Sequence, residues 1–483
     1  MYPPKKIILL LLTLCLAACL PLSGNLTPAL TTVTRTPGPT PTAEPTRPAY
    51  NPGELVDYTA QSGDTLQALA AHFNTTVREI RDANPDIPAD ATTMPPGMPM
   101  KIPIYYLPFW GTTFQILPDG LFVNGPAAVD FDTAAFVASR PGWLKDYRAY
   151  AVDANHSGAE IVDIVALNYS VSPRVLLAIL EYQTGALSQP VPPSGEYPLG
   201  DVDYTHAGLY MQLIWAADVL NNGYYGWRTG SLTNFEHADG TLERPDPWQT
   251  AATVAFQYYF LQKSSKDEYT RAIGPDGLAR TYQDLFGDPW AVDQPGIPVS
   301  LQQPVLTFPF PVGDSWTFTG GPHTGWGSQL PWAALDFAPP SVVGGCIPTT
   351  KMATAVASGV VVRSETGVVM LDLDGDGNEL TGWDILYLHV ATIGRIPVGR
   401  VLKVGDPIGY PSCEGGTATG THIHIARKFN GEWIPADSAI PFNLEGWIAH
   451  NGGAPYQGTL TRGNQTVTAC TCSNAESQVT AGK

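Results

Sequence analysis

Apolar and polar positions along this chain change period twice. In the first stretch, alternating runs at Val56 to Ala60 and Met100 to Ile104 flank two segments with helix-start spacing. Asp64 stands three residues before Gln67 and Thr76 three before Glu79, while Asn84-Pro85 closes the second segment, so the order reads βααβ. From about Tyr105 to Pro298 the apolar period lengthens to that of helices. Ile161, Ile164, Val165 and Leu167 form one stripe and Leu176, Leu177, Ile179 and Leu180 another, the latter opened by Ser172-Pro173. Further helices are expected at His206 to Asn222 and Pro247 to Leu261. After Gln294-Pro295-Gly296, short β-prone runs separated by Gly and Pro predict an all-β domain, with strands at Ala353 to Glu365, Gly367 to Leu373, Trp383 to His389 and Thr421 to Lys428.

Ahead of these lies a different texture. Lys5 and Lys6 precede the apolar run Ile7 to Leu14, which is short for a membrane span and has the form of an export signal. Leu16-Ala17-Ala18-Cys19 resembles the bacterial lipobox, which implies cleavage before Cys19 and a lipid on that cysteine. The alternative is an ordinary secretory signal with a chance cysteine. From there to Pro52 the chain is rich in Pro and Thr, the composition of an extended tether. The expected organisation is a signal at 1–18, a linker at 19–52, the βααβ unit at 53–105, a helical domain at 106–298, the all-β domain at 299–450 and a tail at 451–483.

Composition adds bounds rather than a function. A chain of 483 residues with 44% hydrophobic and 14% charged residues suits several globular domains. Its net charge of -18 leaves no basic excess for phosphates, so nucleic acid is excluded as an expected partner. Export permits disulfides. Cys346 and Cys413 are the expected pair inside the all-β domain, while Cys470 and Cys472 could pair with each other or bridge elsewhere.

Resemblances sharpen the first two domains. Tyr58-Thr59-Ala60-Gln61-Ser62-Gly63-Asp64-Thr65-Leu66 through Pro96-Gly97-Met98-Pro99-Met100-Lys101-Ile102-Pro103 resembles the LysM module, which implies binding of N-acetylglucosamine-containing glycans such as peptidoglycan. This copy has a longer, Pro-rich stretch between Asn84 and Gly97. In the helical domain, Leu177 to Ser188 and Gly208-Leu209-Tyr210-Met211-Gln212 resemble segments of lytic transglycosylases. That likeness implies a lysozyme-like fold with Glu181 as the acid of a second active site, although Tyr182 replaces the usual serine. A scaffold without turnover is the competing expectation.

The all-β domain carries the sharper chemistry. Side chains two apart on a strand share a face, so His422 and His424 can act together. Gly321-Pro322-His323-Thr324-Gly325, Ala334-Leu335-Asp336-Phe337, Tyr387-Leu388-His389 and Gly420-Thr421-His422-Ile423-His424 together resemble the lysostaphin-like zinc endopeptidases in kind and order. The resemblance implies one zinc ion held by His323, Asp336 and His424, with His389 and His422 as catalytic groups beside its water. Here His323 and Asp336 stand farther apart than is common, which requires a loop at Gly325 to Trp332 that returns to the metal. Ala426 also stands where an acidic residue often follows. Asp372-Leu373-Asp374-Gly375-Asp376-Gly377 has the look of a calcium loop, but Trp383 occupies the twelfth position, so a solvated hairpin turn is expected over calcium at Asp372, Asp374 and Asp376. The function expected is a surface-anchored zinc endopeptidase acting on peptidoglycan peptides, membrane-held by its lipid and wall-held by LysM. A non-catalytic wall-binding scaffold or hydrolase activator and a Glu181 transglycosylase are the alternatives.

Overall fold

The computed structural model describes residues 49–105, 107–291, 296–341, 343–472 and 474–482. The expected signal at 1–18, lipidated Cys19 and the spacer as far as residue 48 lie outside the described residues. Among the described residues no helix is long and apolar enough to cross a membrane.

The first module has the expected βααβ order. Strand Glu54–Thr59 pairs antiparallel with Pro99–Ile104, setting Val56 opposite Ile102, and helices Leu66–His72 and Val77–Ala83 lie between them. The Thr76–Glu79 capping box forms in both directions. The first cap differs from expectation: Thr65, not Asp64, accepts from Ala68 N. The half-buried Asp64 carboxylate instead accepts from Tyr58 Oη and Gln61 N at 2.7 Å each, so it closes the turn before the helix.

The middle of the chain is mostly helical, led by Gly158–Tyr169, Pro173–Thr184, Leu209–Arg228 and Ala251–Leu261. Pro173 occupies a first turn as expected, although Ser172 makes no side-chain cap bond. The helix expected over 206–222 starts at Leu209 and continues to Arg228, because Tyr224, Tyr225 and Trp227 keep burying apolar surface.

The last part is built on a large antiparallel sheet. Its order is Val401–Leu402, Gly359–Glu365, Gly367–Asp372, Trp383–Val390, Ile423–Phe429, Trp332–Ala338, Ser315–Thr324 and Gln478–Thr480, with Glu432–Trp433 returning as a hairpin onto Ile423–Phe429. The expected strand over 353–365 is split: Ala353–Thr354 leaves to pair with Pro407–Gly409. The expected tail needs correcting too. Gly458–Arg462 and Gln465–Thr468 complete a small sheet with Asn443–Leu444 and Trp447–Asn451, and Gln478–Thr480 forms the edge of the large sheet against Ser315–Thr324. Alternation along these strands, with buried Leu460, Val467 and Val479, makes them part of the domain's core.

Both faces of the large sheet are covered. Phe337, Leu371, Tyr387, Ile423 and Ile425 pack into the β domain's own core, whereas Ala334, Met370, Leu386 and Ala426 share a core with the helices. The helical part therefore lies on the sheet face that carries His424. Arg228, at the end of the long helix, joins the three parts. Its Nε and Nη2 donate to Glu432 Oε1 and Oε2 at 2.9 and 2.8 Å, Nη1 donates to the Ser62 carbonyl, and Asp119 Oδ2 lies 3.8 Å away.

The LysM-like module seats on the same helix through His72. Its ring stacks on Trp227 at 3.5 Å and its Nε2 donates to the Trp227 carbonyl at 2.9 Å. Burial lowers the His72 pKa from 6.5 to about 3, against the weaker opposing pull of that carbonyl. Above pH 6.5 the group is neutral in both folded and unfolded chains; below it only the unfolded chain takes up the proton, until the folded site titrates near 3. Stability should therefore fall on this account as pH drops from 6.5 toward 3, by roughly 1.4 kcal/mol per pH unit. Denaturant unfolding of His72→Gln across that range should show a flatter acid limb than wild type, and parallel limbs would disprove this burial effect.

Candidate metal centre

Four strands of the large sheet bring the five expected side chains to the floor of one groove. His424 lies on Ile423–Phe429, with Leu388 opposite it on one side and Asp336 opposite it on the other. His323 comes from the neighbouring strand, where register shifts between Phe318 and Thr324 pair it with Ala334. His422 immediately precedes its strand and bridges to Ser412.

His389 reaches the same place by an irregularity. Regular alternation would turn His389 away from the face of Leu386 and Leu388. Opposite it, however, Gly367 pairs with Val390 and Val368 with Leu388, so His389 is the extra residue of a β-bulge. Its φ of +66° is the left-handed backbone that side chains seldom adopt, and the bulge reverses parity so that Val390 joins the opposite core. The His389 carbonyl accepts from Ser412 N and Oγ at 2.7 and 2.9 Å, which holds that conformation.

The inner atoms form a nearly equilateral triangle. His323 Nε2 lies 3.0 Å from His424 Nδ1, and each lies 3.3 Å from Asp336 Oδ1. Their outer nitrogens are engaged: His323 Nδ1 with the Gly321 carbonyl at 2.8 Å and His424 Nε2 with the Gly325 carbonyl at 3.2 Å. Carbonyls only accept, so both ring protons sit on the outside and both lone pairs face inward. Asp336 Oδ1 is buried without a hydrogen-bond partner. Three lone-pair atoms thus converge on one point, a donor set that fits a cation. Tetrahedral coordination at zinc bond lengths of about 2.0–2.1 Å places donors about 3.3 Å apart, close to the edges observed.

Electrostatics follow the same plan. Burial works against the charge on Asp336, yet the His323 and His422 imidazoles hold its carboxyl well below the usual range. Burial, followed by the nearby His422 and His424 rings, lowers the His389 pKa from 6.5 to about 4. Burial likewise lowers His424. His389 Nδ1 donates to the Glu414 carbonyl at 2.9 Å and His422 Nδ1 to the Gly420 carbonyl at 2.8 Å, while His422 Nε2 stands 3.6 Å from Asp336 Oδ2. The groove above them has a volume of about 540 Å3 and walls from residues 339–341, 343–345, 347–349 and 417–421. Cys346–Cys413 is bonded and staples the first wall beside the segment that holds His389. Cys470 and Cys472 bond to each other.

Comparison with known proteins agrees with this chemistry. Residues 58–103 match the LysM domain family and residues 115–300 match the family described as LasA, N-terminal domain. A beta-lytic metalloendopeptidase of Lysobacter enzymogenes is 30% identical over 166 residues, covering 33% of this chain and 86% of that protein. The chain belongs to the beta-lytic metalloendopeptidase family. Protease LasA of Pseudomonas aeruginosa is 25% identical over 342 residues, covering 67% of this chain and 76% of that protein. Among solved structures, the M23 metalloprotease pseudoalterin matches at 21% identity and a TM-score of 0.30, covering 35% of this chain and 96% of that one.

The groove also contains a residue that sequence reasoning passed over. Tyr456 stacks on His323 with ring centroids 4.1 Å apart and lines the groove, held by its N–H on the Pro322 carbonyl. It sits in the stretch read as a tail, with no motif around it. Residues 115–300 match the LasA N-terminal family, which gives the central likeness to transglycosylases no support. Glu181 Oε2 accepts from Leu187 N at 2.7 Å, tying down the turn after its helix, and buried Gln212 donates to the Asp201 and His206 carbonyls to order a loop. In the acidic turn, Asp372 accepts from Asp374 N, Gly375 N and Gly377 N, the hydrogen bonding of a hairpin turn.

Gly320 pairs with Asp336, and a Cβ built there would stand 2.5 Å from Asp336 Oδ2. Gly320→Ala should therefore push the carboxylate off the triangle and weaken zinc binding at least tenfold, in the range usual for disturbed metal surroundings. A chelator-competition titration checks this, and unchanged affinity would refute it.

Proposed function

We propose that this chain is an exported peptidoglycan endopeptidase that cuts peptide bonds in wall stem peptides or cross-links, with zinc held by His323, Asp336 and His424. The observation that carries the reading is the triangle of inward lone pairs at 3.0 to 3.3 Å on the floor of a peptide-sized groove. Zinc, when bound, supplies Lewis acidity toward a peptide carbonyl and toward water. The remaining groups belong to the protein. His389 is neutral at physiological pH, and its Nδ1 proton is committed to Glu414, so Nε2 offers a lone pair that can take up a proton. Beside it, His422 holds its Nδ1 on the Gly420 carbonyl and turns Nε2 toward Asp336 Oδ2, 3.6 Å away. Between them they can receive and return a proton as the carbonyl carbon becomes tetrahedral and the amine leaves. Tyr456 packs His323 from the open side and narrows the approach of solvent.

The groove wall formed by Gly344, Gly345 and Gly420 exposes backbone with little side chain, which suits a chain lying extended across it. The LysM module supports retention on the glycan of the same polymer. Lys5, Lys6 and the Leu16-Ala17-Ala18-Cys19 run support export and a lipid anchor at Cys19 on the outer membrane face. A scaffold or activator without turnover is disfavoured, because all five chemical positions are retained.

Digestion of purified peptidoglycan by the zinc-loaded protein should release new amino termini. His424→Ala should lose both zinc and cleavage. His389→Ala should keep zinc and lose about 100-fold or more in kcat, as expected for a general acid–base group. Failure of the zinc-loaded protein to generate termini on several wall types would sink the endopeptidase reading. New anhydro-sugar ends abolished by Glu181→Gln would instead support glycan cleavage.

A further inference from the structure

We infer that the helical domain is part of the support of the metal centre, with Asp218 and Asn222 as positioning residues that act on His424 through the 325–332 loop. The inference rests on the zinc reading above and deepens it.

The chain of contacts starts at the ligand. His424 can present a lone pair at Nδ1 only while its proton stays on Nε2, and the group that holds that proton is the Gly325 carbonyl, 3.2 Å away. If that carbonyl moved, the other tautomer would compete and would point a proton into the donor triangle. Gly325 begins the long connection between the strands of His323 and Asp336; its N–H donates to the Pro331 carbonyl at 3.0 Å and Thr324 Oγ1 donates to the Trp326 carbonyl at 2.9 Å, which closes the loop at its base and leaves 327–330 to be held from elsewhere.

The fixing comes from helix Leu209–Arg228, outside the β domain. Asp218 Oδ1 accepts from Ser328 N at 3.1 Å, and Ser328 Oγ donates to Asp218 Oδ2 at 3.0 Å. One turn on, Asn222 Oδ1 accepts from Leu330 N at 3.0 Å while its Nδ2 donates to Gln329 Oε1 at 2.6 Å. The loop is pressed close: a Cβ on Gly327, whose φ is +87°, would stand 2.2 Å from Asp218 Oδ1. Further along the same face, Tyr225 Oη accepts from Trp433 N at 2.9 Å, and a Cβ on Gly325 would lie 3.0 Å from Trp433 Cε3. Positions 218, 222 and 225 follow the i, i+4, i+7 spacing of one helix face. One polar face of one helix thereby sets where the Gly325 carbonyl stands.

The test uses the full chain and reads metal rather than turnover. Zinc affinity is measured by chelator competition, and cobalt is substituted to read ligand geometry from its visible spectrum. Asp218→Ala and Asn222→Ala should each weaken zinc about tenfold, the range for loss of a partner that orients a ligand, and should shift the cobalt bands. Asp218→Asn should recover most of the affinity, since its amide oxygen still accepts from Ser328 N. Ser328→Ala changes an exposed side chain without threatening the fold and should weaken zinc several-fold; should either alanine variant on the helix fail to fold, this variant decides. Wild-type zinc affinity and an unchanged cobalt spectrum in the folded variants would overturn the inference. So would an Asp218→Asn defect equal to that of Asp218→Ala, because the negative charge rather than the clamp would then matter. Absence of zinc binding by the wild-type protein would overturn the metal-site reading instead.

Discussion

The buried guanidinium of Arg228 is the constraint on which the arrangement of this chain depends. A charge removed from water is costly unless every donor finds an acceptor, and here the acceptors come from three separate parts of the sequence. Glu432 supplies both carboxylate oxygens from the β domain, Ser62 a carbonyl from the LysM module, and Asp119 a nearby second carboxylate. Apolar substitutes of matching shape could stabilise such a junction equally well. What the ionic version adds is registry, because a shifted LysM module or a rotated helix would leave a bare charge in the interior.

That registry reaches the metal centre by a short path. Glu432 lies on the hairpin that returns onto Ile423–Phe429, the strand carrying His424, and Arg228 ends the helix carrying Asp218 and Asn222. Seating Arg228 on Glu432 therefore aligns the helix with the histidine strand and, one to three turns back, with the loop whose carbonyl holds the His424 proton. The Ala426 and Trp433 side chains bury against the helices on the same face, so packing and ion pairing select one docking.

Legibility from sequence followed the range of the forces involved. The Thr76–Glu79 capping box and the alternation of His422 with His424 are local, and each could be read from a few neighbouring residues. The order of His323, Asp336, His389 and His424 was legible as a resemblance, although His389 reaches the site only through a bulge that no pattern announces. Asp64 went to a turn rather than a cap because Tyr58 Oη and the Gln61 N–H both donate to its carboxylate. The likeness around Glu181 carries little weight for a related reason: apolar helix, glutamate and glycine is also the ordinary grammar of a helix ending at a left-handed Gly185. Tyr456 and the strands after residue 451 were hidden because short polar strands become strands only when a partner sheet accepts them.

The long connection between His323 and Asp336 looked like the weak point of the site, and its length has a structural use. A tight hairpin would keep the turn within the β domain, where little else could fix the Gly325 carbonyl. The longer loop reaches the helix, adding a clamp from outside to the Gly325 N–Pro331 carbonyl bond that closes it from within. The metal ligands then need only short-range precision, which the sheet register gives to Asp336 and His424 directly. The groups whose placement depends on irregular backbone are His323, set by the register shifts of its strand, His389, held in its bulge by Ser412, and His424's outer proton, held by the clamped loop. His323, His389 and His424 each turn an outer nitrogen to a backbone carbonyl, which fixes where the ring proton sits, while burial lowers the pKa of His389 and His424.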